Sequence, residues 1–138
     1  MTLTATPHLN FRGNARAALQ FYNAAFDGAL TVVTYREAGQ AGPADEADQV
    51  MWGQVATAGG LRVMAFDVPA SRPFHPGENA VYIVVGGSTA AEVTGPWDGM
   101  QDGATILQPL APAPWAPLYG MLKDRFGITW VFSVAGAA

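Results

Sequence analysis

Residues Trp115–Val134 read WAPLYGMLKDRFGITWVFSV. Two apolar runs flank the polar tip Lys123-Asp124-Arg125-Phe126, and Gly127 supplies the backbone freedom that a tight turn needs. This is the pattern of a β-hairpin. The same pattern occurs earlier at a constant separation of 67 residues, from Trp52-Gly53 to Tyr119-Gly120 and from Gly60 to Gly127. In that register Val55 meets Leu122, and Leu61, Val63 and Met64 meet Ile128, Trp130 and Val131. The chain therefore reads as two copies of one unit.

Working outward, His8–Arg12 alternates as a half-buried strand, with Leu9 and Phe11 on one side. Asn14 stands where a helix N-cap belongs, and Ala18, Leu19, Tyr22 and Phe26 form an apolar stripe ending at Asp27-Gly28. Ala29–Arg36 is a strand, and Glu37–Gln49 (EAGQAGPADEADQ) is expected to be a mobile loop before the first hairpin. Asp67–Glu78, with three prolines, reads as the linker. The expected modules span about 5–68 and 78–136, with a linker of about 69–77. The second unit has a strand over Asn79–Val85 and a helix from Ser88 that Gly95-Pro96 should break early. A strand over Ala104–Leu110 and an extended connector over Ala111–Pro117 follow.

Composition bounds the function. A chain of 138 residues, half of them hydrophobic, has one domain's worth of core, while net charge −4 offers no basic face for nucleic acid. Zero cysteines exclude disulfides and thiolate ligands. No apolar run approaches ~20 residues, and the first residues lack the pattern of a secretory signal. The expectation is a cytoplasmic protein without nucleic-acid or membrane partners.

Two stretches, HLNFRGNARAALQFYNAAFDGAL and PWAPLYGMLKDRFGITWVFSV, carry a resemblance. The first has a Gly-Asn helix start, an AL-x-FY helix and an F-x-G end; the second has W-x-x-x-YG and D-x-FG-x-x-W. Together they resemble the PhnB-like branch of the vicinal-oxygen-chelate superfamily, which includes glyoxalases, bleomycin-resistance proteins and dioxygenases. The resemblance implies an α+β fold of two βαβββ modules forming a curved mixed sheet around a central cavity. It also implies pairing into a homodimer. The branch holds many proteins without an assigned reaction, so it names no activity. A methyltransferase label attached to some relatives has no counterpart in the residues, which contain no glycine-rich strand–helix turn for a methyl donor.

Metal-dependent members of the superfamily place ligands on the first and last strands of each unit. Here Met64 and Val131 stand at the last-strand positions, and the first-strand regions are Thr6–His8 and Ala80–Tyr82. His8 alone could ligate there, and a catalytic divalent ion needs about three protein ligands, so no metal or other cofactor is expected. Strand parity, with Val63 and Trp130 toward the helices, turns another set of residues into the expected pocket. The candidate ligand-binding residues are His8, Trp52, Gln54, Arg62, Met64, Tyr82, Trp115 and Tyr119. They would make an aromatic, weakly polar pocket for a small planar or amphipathic ligand. The competing reading is that the aromatics fill the interior. No catalytic residue is assigned. A metal-independent small-molecule binding protein is the leading expectation, and a lyase or isomerase, with or without a divalent metal, is the alternative.

Overall fold

A computed structural model describes residues 2–40 and 42–135 of the chain. Ala41 of the expected loop and Gly136, the end of the second module, lie outside the described residues. The chain divides into two compact units between Pro76 and Gly77. Each is a four-stranded mixed sheet with one helix, which makes the class α+β.

In the first unit the order is β1 (His8–Phe11), α1 (Ala15–Phe26), β2 (Ala29–Thr34), β3 (Val50–Ala56) and β4 (Arg62–Asp67). The sheet runs β1-β4-β3-β2, with β1 parallel to β4 and the other pairs antiparallel. Helix α1 buries Ala15, Ala18, Leu19, Tyr22 and Phe26, the apolar stripe read from the sequence. It lies so close to β3 that a Cβ on Gly53 would stand 2.3 Å from Leu19 Cδ1. Glycine is required there because no side chain fits beneath the helix.

The second unit has β5 (Ile83–Gly87), α2 (Ala90–Met100), β6 (Thr105–Ala113), β7 (Ala116–Lys123) and β8 (Thr129–Val134), in sheet order β5-β8-β7-β6. Its repeat-equivalent glycine has the same role. A Cβ on Gly120 would meet Trp97 of α2 at 2.9 Å and the backbone of Leu110 at 3.0 Å. Trp97 is buried and meets Phe132 edge-on, with ring centroids 5.6 Å apart.

The two hairpin turns are built alike. Thr57 N–H donates to Leu61 O at 2.9 Å, and Asp124 N–H donates to Ile128 O at 2.8 Å. Gly60 and Gly127 close them at φ 100° and 92°, in the left-handed region. In the second turn Asp124 does more than its expected capping. Its Oδ1 accepts from the Phe126 and Ile128 amides, and its Oδ2 accepts from the buried Trp130 indole N–H at 2.8 Å. The D-x-FG-x-x-W pattern is thus one hydrogen-bonded assembly.

Several expectations need correction. Helix α2 does not stop at Gly95-Pro96 but carries Pro96 inside it. Its start is fixed by a Thr89–Glu92 capping box, and beyond the proline it buries Trp97 and Met100, which offsets the lost backbone bond. APAPWAP is no connector: β6 and β7 form a hairpin with Pro114-Trp115 at its tip. Pro112 is tolerated because β6 is an edge strand with irregular register, Pro114 sits at the tip, and Pro117 precedes Leu118, the first residue of β7 paired with β8. The strand expected over Asn79–Val85 begins only at Ile83, after Asn79 adopts φ 57°. Asn14 makes no side-chain cap on α1. That role belongs to Asp67, at the end of β4.

Asp67 is 1% exposed, and its carboxylate accepts three backbone N–H groups. Oδ1 takes Gly13 at 2.7 Å and Ala15 at 3.1 Å; Oδ2 takes Val50 at 2.9 Å. One side chain therefore satisfies donors at the start of α1 and fixes the first residue of β3. The second unit has Val134 at the end of its last strand and uses the local capping box instead.

Candidate functional site

In the first unit, the sheet face turned away from α1 carries a cross-strand row. His8 pairs with Met64, Met64 with Gln54, and Gln54 with Thr31. Three of the expected site residues are thereby neighbours. His8 is exposed, its Nδ1 lies 2.9 Å from Asn10 Oδ1, and its ring meets Phe66 edge-on with centroids 5.1 Å apart. Arg62 is exposed at the tip end of β4, opposite Ala56, the position of a solvated strand end. Trp52 is half-buried on β3 beside Val33.

In the second unit, Tyr119 pairs with Ser133 on β7 and β8. Trp115, at the hairpin tip and 66% exposed, packs edge-on against Tyr119 at 5.2 Å between centroids. Tyr82 precedes β5 instead of lying on it, and its hydroxyl donates to Asn79 Oδ1 at 2.9 Å. That bond closes a local turn.

The metal positions can be tested on the observed register. In the first unit the neighbours on the first and last strands are His8 and Met64; in the second they are Val84 and Val131. The first-strand position of the second unit is thus Val84, later than Ala80–Tyr82. Among the described residues no three His, Asp or Glu side chains come together in a group able to hold a metal ion. Residues of this kind do not fit a divalent metal.

A half-open cavity of about 450 Å³ lies at the surface of the first unit, and none of the eight expected site residues lines it. Its apolar wall includes Met51 of β3 and Phe66 of β4; Tyr35, Pro43 and Pro69 add to it. Gln40, Glu46, Ser71 and Arg72 give its polar edge, with Gln40, Ser71 and Arg72 exposed. Met51 reaches this wall because of a β-bulge. Thr34 pairs with Val50 and Val33 with Trp52, so Met51 is the extra residue and escapes strict alternation. Parity reasoning on the sequence passed over it for that reason.

The expected loop Glu37–Gln49 is internally bonded. Arg36 N–H donates to Ala47 O at 2.9 Å, Gln40 N–H donates to Tyr35 O at 2.9 Å, and Ala44–Glu46 forms a short 3₁₀ turn. Opposite it, the stretch after β4 is clamped. Glu46 Oε1 accepts the Ala70 amide at 2.6 Å. The Arg12 guanidinium donates to the carbonyls of Pro69 and Arg72 and stacks over Phe74 at 5.4 Å. Tyr35 joins the cavity to the helix cap, its hydroxyl donating to the Asp67 carbonyl at 2.6 Å. Burial foremost, and then the Asp67 carboxylate, raise the Tyr35 phenol above its ordinary value of 10.0, while Arg72 pulls it down.

With this geometry in view, the comparisons are specific about family. A model of the family described as 3-demethylubiquinone-9 3-methyltransferase matches residues 4–133. The chain belongs to this family. It is PhnB-like, with the fold of a glyoxalase/bleomycin-resistance domain. It is similar to protein PA1353 of Pseudomonas aeruginosa, with 28% identity over 97% of this chain and 98% of that one and a TM-score of 0.83. A PhnB protein from Bacillus cereus is 26% identical, over 96% of this chain and all of that one (100%), at a TM-score of 0.71. A glyoxylase/bleomycin-resistance/dioxygenase domain from Frankia shares the fold at 14% identity, covering 99% of each chain with a TM-score of 0.66. No curated protein matches. The methyltransferase in the family's description has no site in the β1–α1 turn of this PhnB-like chain. The Gly13 and Ala15 N–H groups, which in a nucleotide-binding turn would face a ligand, are occupied by Asp67.

Proposed function

We propose that this PhnB-like chain is a metal-independent binding protein for a small, largely apolar molecule, held in the cavity of the first unit. The single observation that supports the reading is the cavity itself: about 450 Å³, walled by Met51, Phe66 and Tyr35, with a few polar groups at one edge. That volume and lining are those of small-molecule sites in general. The clamp around Pro69–Arg72 and the bonded loop opposite it hold the walls in place without a ligand, so little ordering opposes binding. Exposed apolar side chains of the second unit, among them Val81 and Val84, support a homodimer in which they are covered. Among the described residues no helix is long and apolar enough to cross a membrane.

The test is a thermal-shift screen of planar apolar compounds against the wild type and Met51→Trp, whose larger side chain obstructs the apolar wall of the cavity. Compounds that raise the melting temperature of the wild type should leave the variant unmoved. Equal protection of both proteins would place binding elsewhere and overturn the reading.

A further inference from the structure

The polar edge of the cavity contains one cation whose backbone is fixed and whose side chain is unused. Arg72 N–H donates to Pro69 O at 3.0 Å, and the Arg72 carbonyl accepts from the Arg12 guanidinium. Both halves of its backbone are thus committed to the clamp. Its own guanidinium has no carboxylate or hydrogen-bond partner among the described residues, whereas Arg36 and Arg125 form surface ion pairs with Asp48 and Asp102. Arg72 lines the cavity together with the Ser71 hydroxyl.

Several of the nearby acceptors are already engaged. Glu46 Oε1 takes the Ala70 amide, and the Asp67 carboxylate takes Gly13, Ala15 and Val50. The Tyr35 proton goes to the Asp67 carbonyl. What remains at this edge is a five-donor guanidinium and the Ser71 hydroxyl, with the Gln40 amide and the second Glu46 oxygen also on the lining, set beside the apolar wall of Met51 and Phe66. A planar guanidinium of this kind matches a carboxylate with two parallel hydrogen bonds.

We infer that the ligand of this cavity is an apolar carboxylic acid, its ring or chain against Met51 and Phe66 and its carboxylate on the Arg72 guanidinium. The inference rests on the binding reading above and gives it a chemical class. The net charge of −4 repels anions at long range, so a preference for the acid over its neutral analogue must come from a local cation.

The experiment compares naphthoate, naphthamide and naphthylmethylamine by calorimetry on the full chain, with amide chemical shifts of residues 70–72 reporting location. Naphthoate should bind the wild type about tenfold more tightly than naphthamide, as a charge-assisted pair replaces a neutral contact. Arg72→Gln should bring naphthoate down to the affinity of naphthamide and leave naphthamide unchanged, and Arg72→Lys should restore part of the difference. The inference is overturned if the amide or the amine binds the wild type as well as the acid, or if the preference survives Arg72→Gln. In both of those cases binding at the cavity still stands. If none of the three binds there, the binding reading falls with the inference.

Discussion

Replacing Asp67 by asparagine should cost far more than an ordinary polar substitution. The carboxylate accepts from Gly13 and Ala15 on one oxygen and from Val50 on the other, in a site 1% exposed. Asparagine keeps the shape but has one acceptor oxygen. In its better orientation the oxygen stays on the helix start, and the amide NH₂ then faces the Val50 N–H, donor against donor. Losing a buried bond to a charged acceptor costs roughly 1.5–3 kcal/mol, and removing the negative charge from the start of α1 adds about 0.3–1 kcal/mol. The expected loss is therefore ~2–4 kcal/mol, a large share of the ~5–15 kcal/mol typical of a whole domain. Thr89→Ala, which removes the local cap of α2, should cost only ~1 kcal/mol. Urea unfolding gives both values, and amide exchange at Val50 and Ala15 reports the same loss by residue. A loss below about 0.5 kcal/mol for Asp67→Asn, or unchanged exchange at Val50, would refute the role given to this carboxylate.

Three further outcomes follow from the structure. The Tyr35 phenol has a raised folded-state pKa, so its contribution is fully present below the unfolded value near 10.0 and is lost as pH rises through the folded value. Alkaline unfolding curves should therefore steepen between those two values in the wild type and lose the steep part in Tyr35→Phe; identical curves would contradict this. Gly120→Ala should destabilise by ~1–3 kcal/mol, because its Cβ meets the Trp97 ring and the Leu110 backbone, and a pairing with Trp97→Leu should recover part of the loss. Sedimentation at micromolar concentration should give twice the chain mass of 14.5 kDa, whereas a mass near 14.5 kDa would contradict the dimer.

The duplicated hairpin was legible because its causes are local. Gly60 and Gly127 close turns within a few residues, and Gly53 and Gly120 leave a visible mark wherever a helix presses on a strand. The capping of α1 left no such mark. Its acceptor, Asp67, lies 52 residues along the chain from Ala15, and a helix start read locally points to Asn14. The edge strand β6 was hidden by Pro109 and Pro112, whose cost in a central strand does not apply at an edge. The row His8–Met64–Gln54 followed from alternation alone, since parity holds wherever the ladder is regular. Met51 did not, because one bulge shifts the alternation by a residue. Tyr35 and Arg72 come from a strand end and a proline-rich segment, where sequence periodicity says nothing about which way a side chain points.

The central claim, that the first unit holds a small molecule without a metal, is tested most directly by native mass spectrometry. The wild type and Met51→Trp would be expressed in the source organism, purified gently, and measured alongside elemental analysis for zinc, nickel and iron. The account predicts a small-molecule adduct on the wild type, its absence from Met51→Trp, and no stoichiometric metal on either. A bare wild-type chain, an adduct retained by the variant, or near-unit metal occupancy would contradict it.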